Sequence, residues 1–195
     1  ADFVFHLAGV NRPQDPAEFM RGNHDAAASL LQMLERGKKP PVLLTSSTQA
    51  ALENPYGQSK RAGEEAVRAY GERTGAPVYV YRLTNAFGKW SRPNYNSAVA
   101  TFCYNIARGL PIQVNDPDAV LRLNYIDDIV AEFLRALEGT PTSAENGFYR
   151  VEPVHEIRLG DLAGLLQRFH QMRDDLDVPD QSDALTAKLY ATYLS

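Results

Sequence analysis

Three compact apolar runs set the frame of this chain: Phe3 to Leu7, Pro41 to Thr45 and Pro77 to Arg82. Each is rich in β-formers and bounded by Gly, Pro, Asn or Ser, which reads as a strand. Between them lie two longer stretches with apolar residues at helical spacing. Asp25 to Arg36 carries Ala26, Leu30, Leu31 and Leu34, and Tyr56 to Thr74 carries Ala62, Ala66, Val67 and Tyr70. Helix-stop signals follow each, Gly37 with Lys38 and Lys39, then Gly75 and Pro77. A strand without polar alternation is buried on both faces, and the intervening helices supply the cover. The pattern predicts an α/β fold with a parallel sheet built from βαβ units.

After Arg82 the rhythm loosens. Tyr95 to Arg108 reads as a helix closed by Gly109 and Pro111, and Ile112 to Val114 as a short strand. Tyr125 to Glu138 reads as a helix whose first turn holds Asp127 and Asp128, where carboxylates favour the helix dipole. Gly147 to Val151 suits another short strand and Leu159 to Phe169 another helix. Residues 174–183 are polar and read as a linker before a last helix, Ala184 to Leu194.

Composition narrows the function classes. In 195 residues, 44% are hydrophobic and the net charge is −4, which suits one globular core and gives no general attraction to phosphate backbones or anionic lipid. No apolar run approaches the roughly 18–20 residues of a membrane helix. Neither nucleic acid nor membrane insertion is expected. One cysteine, Cys103, excludes an internal disulfide framework and a cysteine-based zinc site, so a reducing, cytoplasmic setting is expected. His24, His155 and His170 lack ligand spacing and His6 ends a strand, so no metal site is expected.

Tyr56 and Lys60 stand one helical turn apart on one face. An ammonium beside a phenol stabilises phenolate and suits proton transfer. With ten tyrosines and five lysines the spacing alone is weak, and an exposed helical pair satisfies it equally. Thr45-Ser46-Ser47-Thr48 ends the second apolar run just upstream. In parallel sheets, groups beyond strand C-termini line the ligand crevice, although Ser and Thr there also cap turns.

Four segments occur in order: His6-Leu7-Ala8-Gly9, the Ser46-Ser47-Thr48 turn, Tyr56-Gly57-Gln58-Ser59-Lys60, and Arg82-Leu83-Thr84-Asn85-Ala86-Phe87-Gly88. Together they resemble the extended short-chain dehydrogenase/reductase (NAD-dependent epimerase/dehydratase) family, whose members act on nucleotide sugars. Asn54-Pro55-Tyr56-Gly57, Phe87-Gly88-Lys89-Trp90, Pro93 to Ser97, Ala100 to Tyr104, Leu123 to Val130 and Lys188 to Ser195 are similar to one branch. That branch comprises the bifunctional reductase–epimerases of capsular-polysaccharide synthesis, and the likeness covers essentially the whole chain.

The resemblance implies a partial Rossmann-type parallel sheet, its N-terminal strands missing, with a small C-terminal substrate-binding lobe. Residues 1–90 would form the second half of the dinucleotide-binding domain. Residues 91–173 would be mainly substrate lobe, with some segments returning to the core, and 174–195 a linker and helix toward a cupin domain. The implied reaction is reduction of the 4-keto group of a UDP-linked 4-keto-6-deoxy-N-acetylhexosamine, on the route to UDP-N-acetyl-L-fucosamine, by a homo-oligomeric full-length protein. NADPH is expected over NAD. On the same footing Tyr56 would be the general acid, Lys60 would lower its pKa and hold the nicotinamide ribose, and Ser47 would hydrogen-bond the reacting oxygen. Ala8 and Gly9 would pass beside the cofactor's diphosphate and adenine side. Asn85 would contact the substrate's diphosphate, with Thr48 and Arg122 as further substrate contacts.

Two departures bear on this. The 13 glycines include no Gly-x-x-Gly-x-x-Gly or Gly-x-Gly-x-x-Gly, so the segment is expected to begin at the family's fourth strand, with half the cofactor site before position 1. The arginine expected ahead of the Tyr125 segment falls on Leu121, with Arg122 one residue later, which leaves a phosphate contact and a solvated role both open. Arg82 is open between a paired structural arginine and a ligand contact. Trp90 and Tyr95 are open between lining a sugar pocket and anchoring a loop. Rival functions are a nucleotide-sugar 4-epimerase or dehydratase of the same superfamily and a non-catalytic Rossmann-type binding module. Thr48-Gln49 stands where a dehydratase carries Asp-Glu.

Overall fold

The computed structural model describes residues 1–142 and 145–195, the side chain of Arg173 excepted. The chain divides into two compact units, Ala1–Leu83 with Ala131–Val151, and Thr84–Val130 with Glu152–Ser195.

The first unit is built on three parallel strands in the order β1 (Val4–His6), β2 (Val42–Ser47) and β3 (Val78–Leu83). Val4 pairs with Val42, and β2 runs in register with β3 from Val42 opposite Val78 to Ser47 opposite Leu83. Between β1 and β2 run α1 (Ala17–Met20), one wide π-type turn (Arg21–Asp25) and α2 (Ala26–Glu35). The helical segment thus starts well before Asp25, where apolar spacing gave no sign of it. A single 3₁₀ turn (Thr48–Ala51) and α3 (Pro55–Thr74) join β2 to β3. Asn54 caps α3 by accepting from Gly57 N at 2.7 Å, with Pro55 in the first turn, and Gly75 closes it at φ +72°.

Side-chain alternation sends successive strand residues to opposite faces. Val42, Leu44 and Val80 pack with Leu31 of α2 and with Val67 and Tyr70 of α3. Tyr70 Oη donates to Pro40 O at 2.8 Å, so its buried hydroxyl is satisfied. On the other face Phe5 and Tyr81 meet Phe133 at ring-centroid distances of 6.5 and 5.1 Å. Tyr81 Oη donates to the buried Glu132 carboxylate at 2.7 Å, which also accepts from Thr142 N and Oγ1. The strand expected at Gly147 to Val151 is one parallel bridge from Tyr149 to Tyr81, because the Asn146–Gly147 turn, with φ +52° and +75°, sits directly before it.

In the second unit β4 (Asn85–Phe87) runs parallel to β5 (Val120–Tyr125), and β6 (His155–Arg158) antiparallel to it. α4 (Ala98–Ala107) lies between β4 and β5, α5 (Ile126–Leu137) starts in this unit, and α6 (Leu159–Asp175) and α7 (Ala184–Tyr193) follow β6. The core gathers Phe87, Val99, Phe102, Cys103, Ile106, Leu123, Leu162, Leu166, Phe169, Leu189 and Tyr193. Burial pushes the Cys103 thiol up to about 12, so it packs as an apolar residue. Ile112 to Val114 is not a strand. Asn105 Nδ2 holds Pro111 O at 3.0 Å, and Ile112 and Val114 pack on the core as irregular chain. α6 runs to Asp175, two residues into the stretch read as linker, and ends at Leu176 with φ +54°. Among the described residues no helix is long and apolar enough to cross a membrane.

Candidate active site

The C-terminal ends of β1 and β2 and the first turns of α3 bring Gly9, Ser47, Tyr56 and Lys60 together in the first unit. Ser47 is the last residue of β2, and its Oγ accepts from Gln49 N at 3.2 Å, capping the 3₁₀ turn. The Ser47 hydroxyl is close enough to the Tyr56 phenol to favour its charged form. The Tyr56 ring meets Phe19 edge-on at 5.6 Å, which half-buries it and fixes its direction. Thr48, one residue further, is exposed.

Lys60 Nζ lies 6.0 Å from the Tyr56 ring centroid and donates to Thr45 O at 3.2 Å. Burial pulls the Lys60 amine below the ordinary lysine range, and the charge of Glu64 works against that. Burial raises Tyr56 above the ordinary phenol range, and the nearby Ser47 hydroxyl opposes the rise. Burial is the largest cause of the shift at Tyr56. The ammonium is turned onto the β2 carbonyl, and desolvation dominates at the phenol. A protonated phenol at neutral pH is the state a general acid needs.

Ala8 and Gly9 leave β1 as exposed chain. A Cβ on Gly9 would stand 2.8 Å from Asn23 Oδ1 and 3.0 Å from Lys60 Nζ, so only a glycine leaves the backbone bare there. An exposed, side-chain-free strip beside a lysine at the ends of parallel strands fits a dinucleotide.

Asn23 escaped the sequence reading. The wide turn Arg21–Asp25 turns it inward to 3% exposure. Its carboxamide accepts from Val10 N at 2.9 Å and donates to Val10 O at 2.8 Å and Ser59 Oγ at 3.0 Å, while Ser59 Oγ donates to Tyr56 O at 2.7 Å. The glycine strip is thereby tied to the helix that carries Tyr56 and Lys60. Gly63 makes room, since a Cβ there would meet Asn23 O at 2.7 Å. An asparagine upstream of an apolar helical stretch carries no sequence signal of such a role. His6 is also buried on β1, its Nε2 without a hydrogen-bond partner among the described residues, and burial and the nearby Lys60 charge both lower its pKa. Arg82 is a paired arginine: its guanidinium forks onto Glu64, Nε to Oε1 at 2.9 Å and Nη2 to Oε2 at 2.7 Å.

Asn85 and Arg122 belong to the second unit. Asn85 is exposed at the start of β4 and pairs in register with Leu123, so the neighbouring Arg122 projects to the opposite face of the β4–β5 pair. Arg122 Nε lies 3.1 Å from Glu156 Oε1, directly across the strands, and both side chains are about 60% exposed. Such a surface pair contributes little stability. Trp90, at φ +64°, is 87% exposed in the loop after β4, with Lys89 Nζ 5.7 Å from its ring centroid.

Comparison with known proteins places these features in a family. Residues 1–151 match the model of the NAD dependent epimerase/dehydratase family. UDP-2-acetamido-2,6-beta-L-arabino-hexul-4-ose reductase of Pseudomonas aeruginosa is 49% identical over 195 residues, covering 100% of this chain and 52% of the relative. A crystal structure of the capsular polysaccharide assembling protein CapF from Staphylococcus aureus superposes with a TM-score of 0.89 at 50% identity, covering 100% of this chain and 52% of that one. RMD from Pseudomonas aeruginosa, solved with NADPH, gives 0.74 at 28% identity over 87% of this chain and 65% of its own. The chain thus spans about half the length of the reductase and of CapF. With a matched region that runs from the glycine strip through Ser47, Tyr56 and Lys60, this chain belongs to the NAD dependent epimerase/dehydratase family.

Proposed function

We propose that the protein to which this chain belongs reduces the 4-keto group of a UDP-linked 4-keto-6-deoxy-N-acetylhexosamine with NADPH. The observation that carries this reading is the cluster of Ser47, Tyr56 and Lys60 beside the glycine strip, on a chain 49% identical to a reductase of such a sugar. When bound, NADPH supplies the hydride. Ala8 and Gly9 would hold the diphosphate and adenine side against bare backbone, and Lys60, with Tyr56 beside it, the nicotinamide ribose. RMD, 28% identical to this chain, was solved with NADPH, which supports a nicotinamide dinucleotide as the cofactor.

The chain's own residues manage the oxygen. Ser47 stands beside the Tyr56 hydroxyl and hydrogen-bonds the carbonyl oxygen, so developing negative charge meets a fixed donor. Tyr56, kept protonated by burial, gives its proton to the alkoxide. The Lys60 ammonium stabilises the resulting phenolate until solvent reprotonates it. Asn85 would donate its amide to the substrate's diphosphate and Thr48 its hydroxyl to the sugar. Arg122, on the opposite face of the β4–β5 pair from Asn85 and paired with Glu156, fits the solvated role better than a phosphate contact.

Epimerisation is redox-neutral overall whereas ketone reduction consumes a hydride, so stoichiometry separates this reading from that of a 4-epimerase. The intact protein, incubated with the UDP-4-keto sugar, should oxidise one NADPH per sugar reduced. Formation of an epimer with no net NADPH loss would replace this reading with the epimerase one.

A further inference from the structure

Glu64 lies one helical turn beyond Lys60 on α3, and its side chain is 3% exposed. Ser46 Oγ donates to Oε1 at 2.5 Å, and Arg82 holds both oxygens in the fork described above. Arg82 is itself fixed, its guanidinium carbon 3.5 Å from the Phe148 ring centroid and its backbone N bonded to Tyr149 O at 3.2 Å. The carboxylate therefore joins three elements at one point: the end of β2 next to Ser47, the end of β3, and the helix that carries Tyr56 and Lys60. Burying an ion pair costs desolvation free energy that a well-packed apolar pair would not incur, so as a device for stability alone this is a poor choice.

We propose that Glu64 is a positioning residue for the Tyr56–Lys60 pair: held by Ser46 and Arg82 one helical turn beyond Lys60, its carboxylate sets a fixed negative charge on the Lys60 side of α3 and aligns the Ser47 end of β2 with Tyr56. The role rests on the reductase reading given above. The titratable groups around Lys60 are Tyr56 and Glu64 from α3 and His6 from β1, with Arg82 of β3 behind the carboxylate. Burial and the lowered pKa of His6 leave that imidazole neutral, and Tyr56 is protonated. Glu64 is then the charge that opposes the desolvation of Lys60. Gln at this position keeps the shape and an acceptor for Ser46 and Arg82 while removing the charge.

The test is a lysine NMR titration of the intact protein, with the Lys60 resonance assigned from Lys60→Arg, alongside kcat measured against pH. In Glu64→Gln the Lys60 midpoint should move to lower pH, and the alkaline fall of kcat should move with it. Ser46→Ala, which removes a hydrogen bond and keeps the charge, should lower the unfolding midpoint and leave the Lys60 titration where it was. Arg82→Leu leaves the carboxylate uncompensated and should move the Lys60 midpoint upward, which reads the same interaction even where Glu64→Gln does not fold. An unmoved Lys60 midpoint in a folded Glu64→Gln or Arg82→Leu protein, or a kcat lowered equally at every pH, overturns the proposal. The titration needs no turnover, so a wild-type protein that oxidises no NADPH would sink the reductase reading and leave this electrostatic coupling to be judged separately.

Discussion

Asn23 Nδ2 donates to Ser59 Oγ across 3.0 Å and so fastens a widened helical turn to the first turns of α3, where Tyr56 and Lys60 stand. The same carboxamide closes a two-bond bracket on the backbone of Val10. Asn23→Ala removes all three bonds inside a site with no ready access for water. Buried partners left unsatisfied cost about 1–3 kcal/mol each and relaxation recovers part, so a loss of about 2–4 kcal/mol is expected. Denaturant unfolding should show a lower midpoint at unchanged slope. Asn23→Asp should also destabilise, because it keeps the acceptor for Val10 N and sets a carboxylate against Val10 O. A change under about 0.5 kcal/mol in both variants would remove Asn23 as the tie.

Tyr56→Phe keeps the edge contact with Phe19 and deletes the hydroxyl beside Ser47. Loss of a general acid is worth about 10²–10⁴-fold in kcat, with binding of NADPH and sugar largely kept. Fold stability should stay within about 1 kcal/mol of the wild type, since Tyr56 and Ser47 are both only half-buried. Turnover within about threefold of the wild type would take Tyr56 out of the chemistry.

The first unit's frame was legible because its strands are unbroken apolar runs, although only the central β2 is buried on both faces, while Phe5 on β1 is exposed and Val78 and Tyr79 on β3 are half-buried. Val42-Leu43-Leu44 and Val78-Tyr79-Val80 have no polar alternation to confuse with a helix face, and Gly75 and Pro55 mark the helix ends by backbone geometry that other residues resist. The second unit was harder. Its strands at Asn85–Phe87 and His155–Arg158 are three and four residues long and mix polar or charged with apolar side chains, too short a span for a pattern to read. Ile112 and Val114 are apolar because they pack on the core, and nothing local tells such packing from a strand. Within the candidate site, Tyr56 and Lys60 stand at helical spacing and Thr45 to Thr48 end a strand with hydroxyls, but only the family resemblance singles out Ser47 and gives the Tyr56–Lys60 pair weight. Asn23 and Glu64 act through hydrogen bonds to residues 36 and 18 positions away, which no local pattern records.

Gly9 tests the cofactor strip. A methyl group there would enter the space of Asn23 Oδ1, at 2.8 Å, and of Lys60 Nζ, at 3.0 Å. Lys60 is long and can swing away, but Asn23 is pinned by Val10 and Ser59. Gly9→Ala should therefore shift the strip, displace Lys60 from Thr45 O, and lower stability by about 1–3 kcal/mol, the usual cost of overpacking. NADPH binding to the intact protein should weaken about tenfold or more, readable by calorimetry on variant protein shown to be folded. An unchanged Kd would mean that the dinucleotide does not cross Gly9.

Acid should destabilise this protein through two histidines in the pH range above that of the carboxylates. His6 is held below its ordinary value by burial first and by the Lys60 charge second. His155 is held down by burial first and then by Lys188, whose Nζ stands 3.1 Å from His155 Nε2, while Asp128 and Asp183 pull the other way. Both folded-state values lie below the unfolded value of about 6.5. As pH falls through about 6.5 the unfolded chain takes up protons that the folded one refuses. Stability is fully present above that point and is lost on going down, by up to about 1.4 kcal/mol per pH unit for each histidine. The carboxylate of Asp183, also held low, by Thr186, adds its own loss only further down, in the carboxylate range. Urea midpoints measured at about pH 7.5 and about pH 5.5 should fall toward acid, and His155→Gln should reduce the fall. A Gln Oε1 can take over the bond from Lys188 Nζ but binds no proton, so the difference between the two slopes isolates the imidazole. Midpoints that hold level or rise toward pH 5.5 would show that neither histidine is kept neutral by the fold.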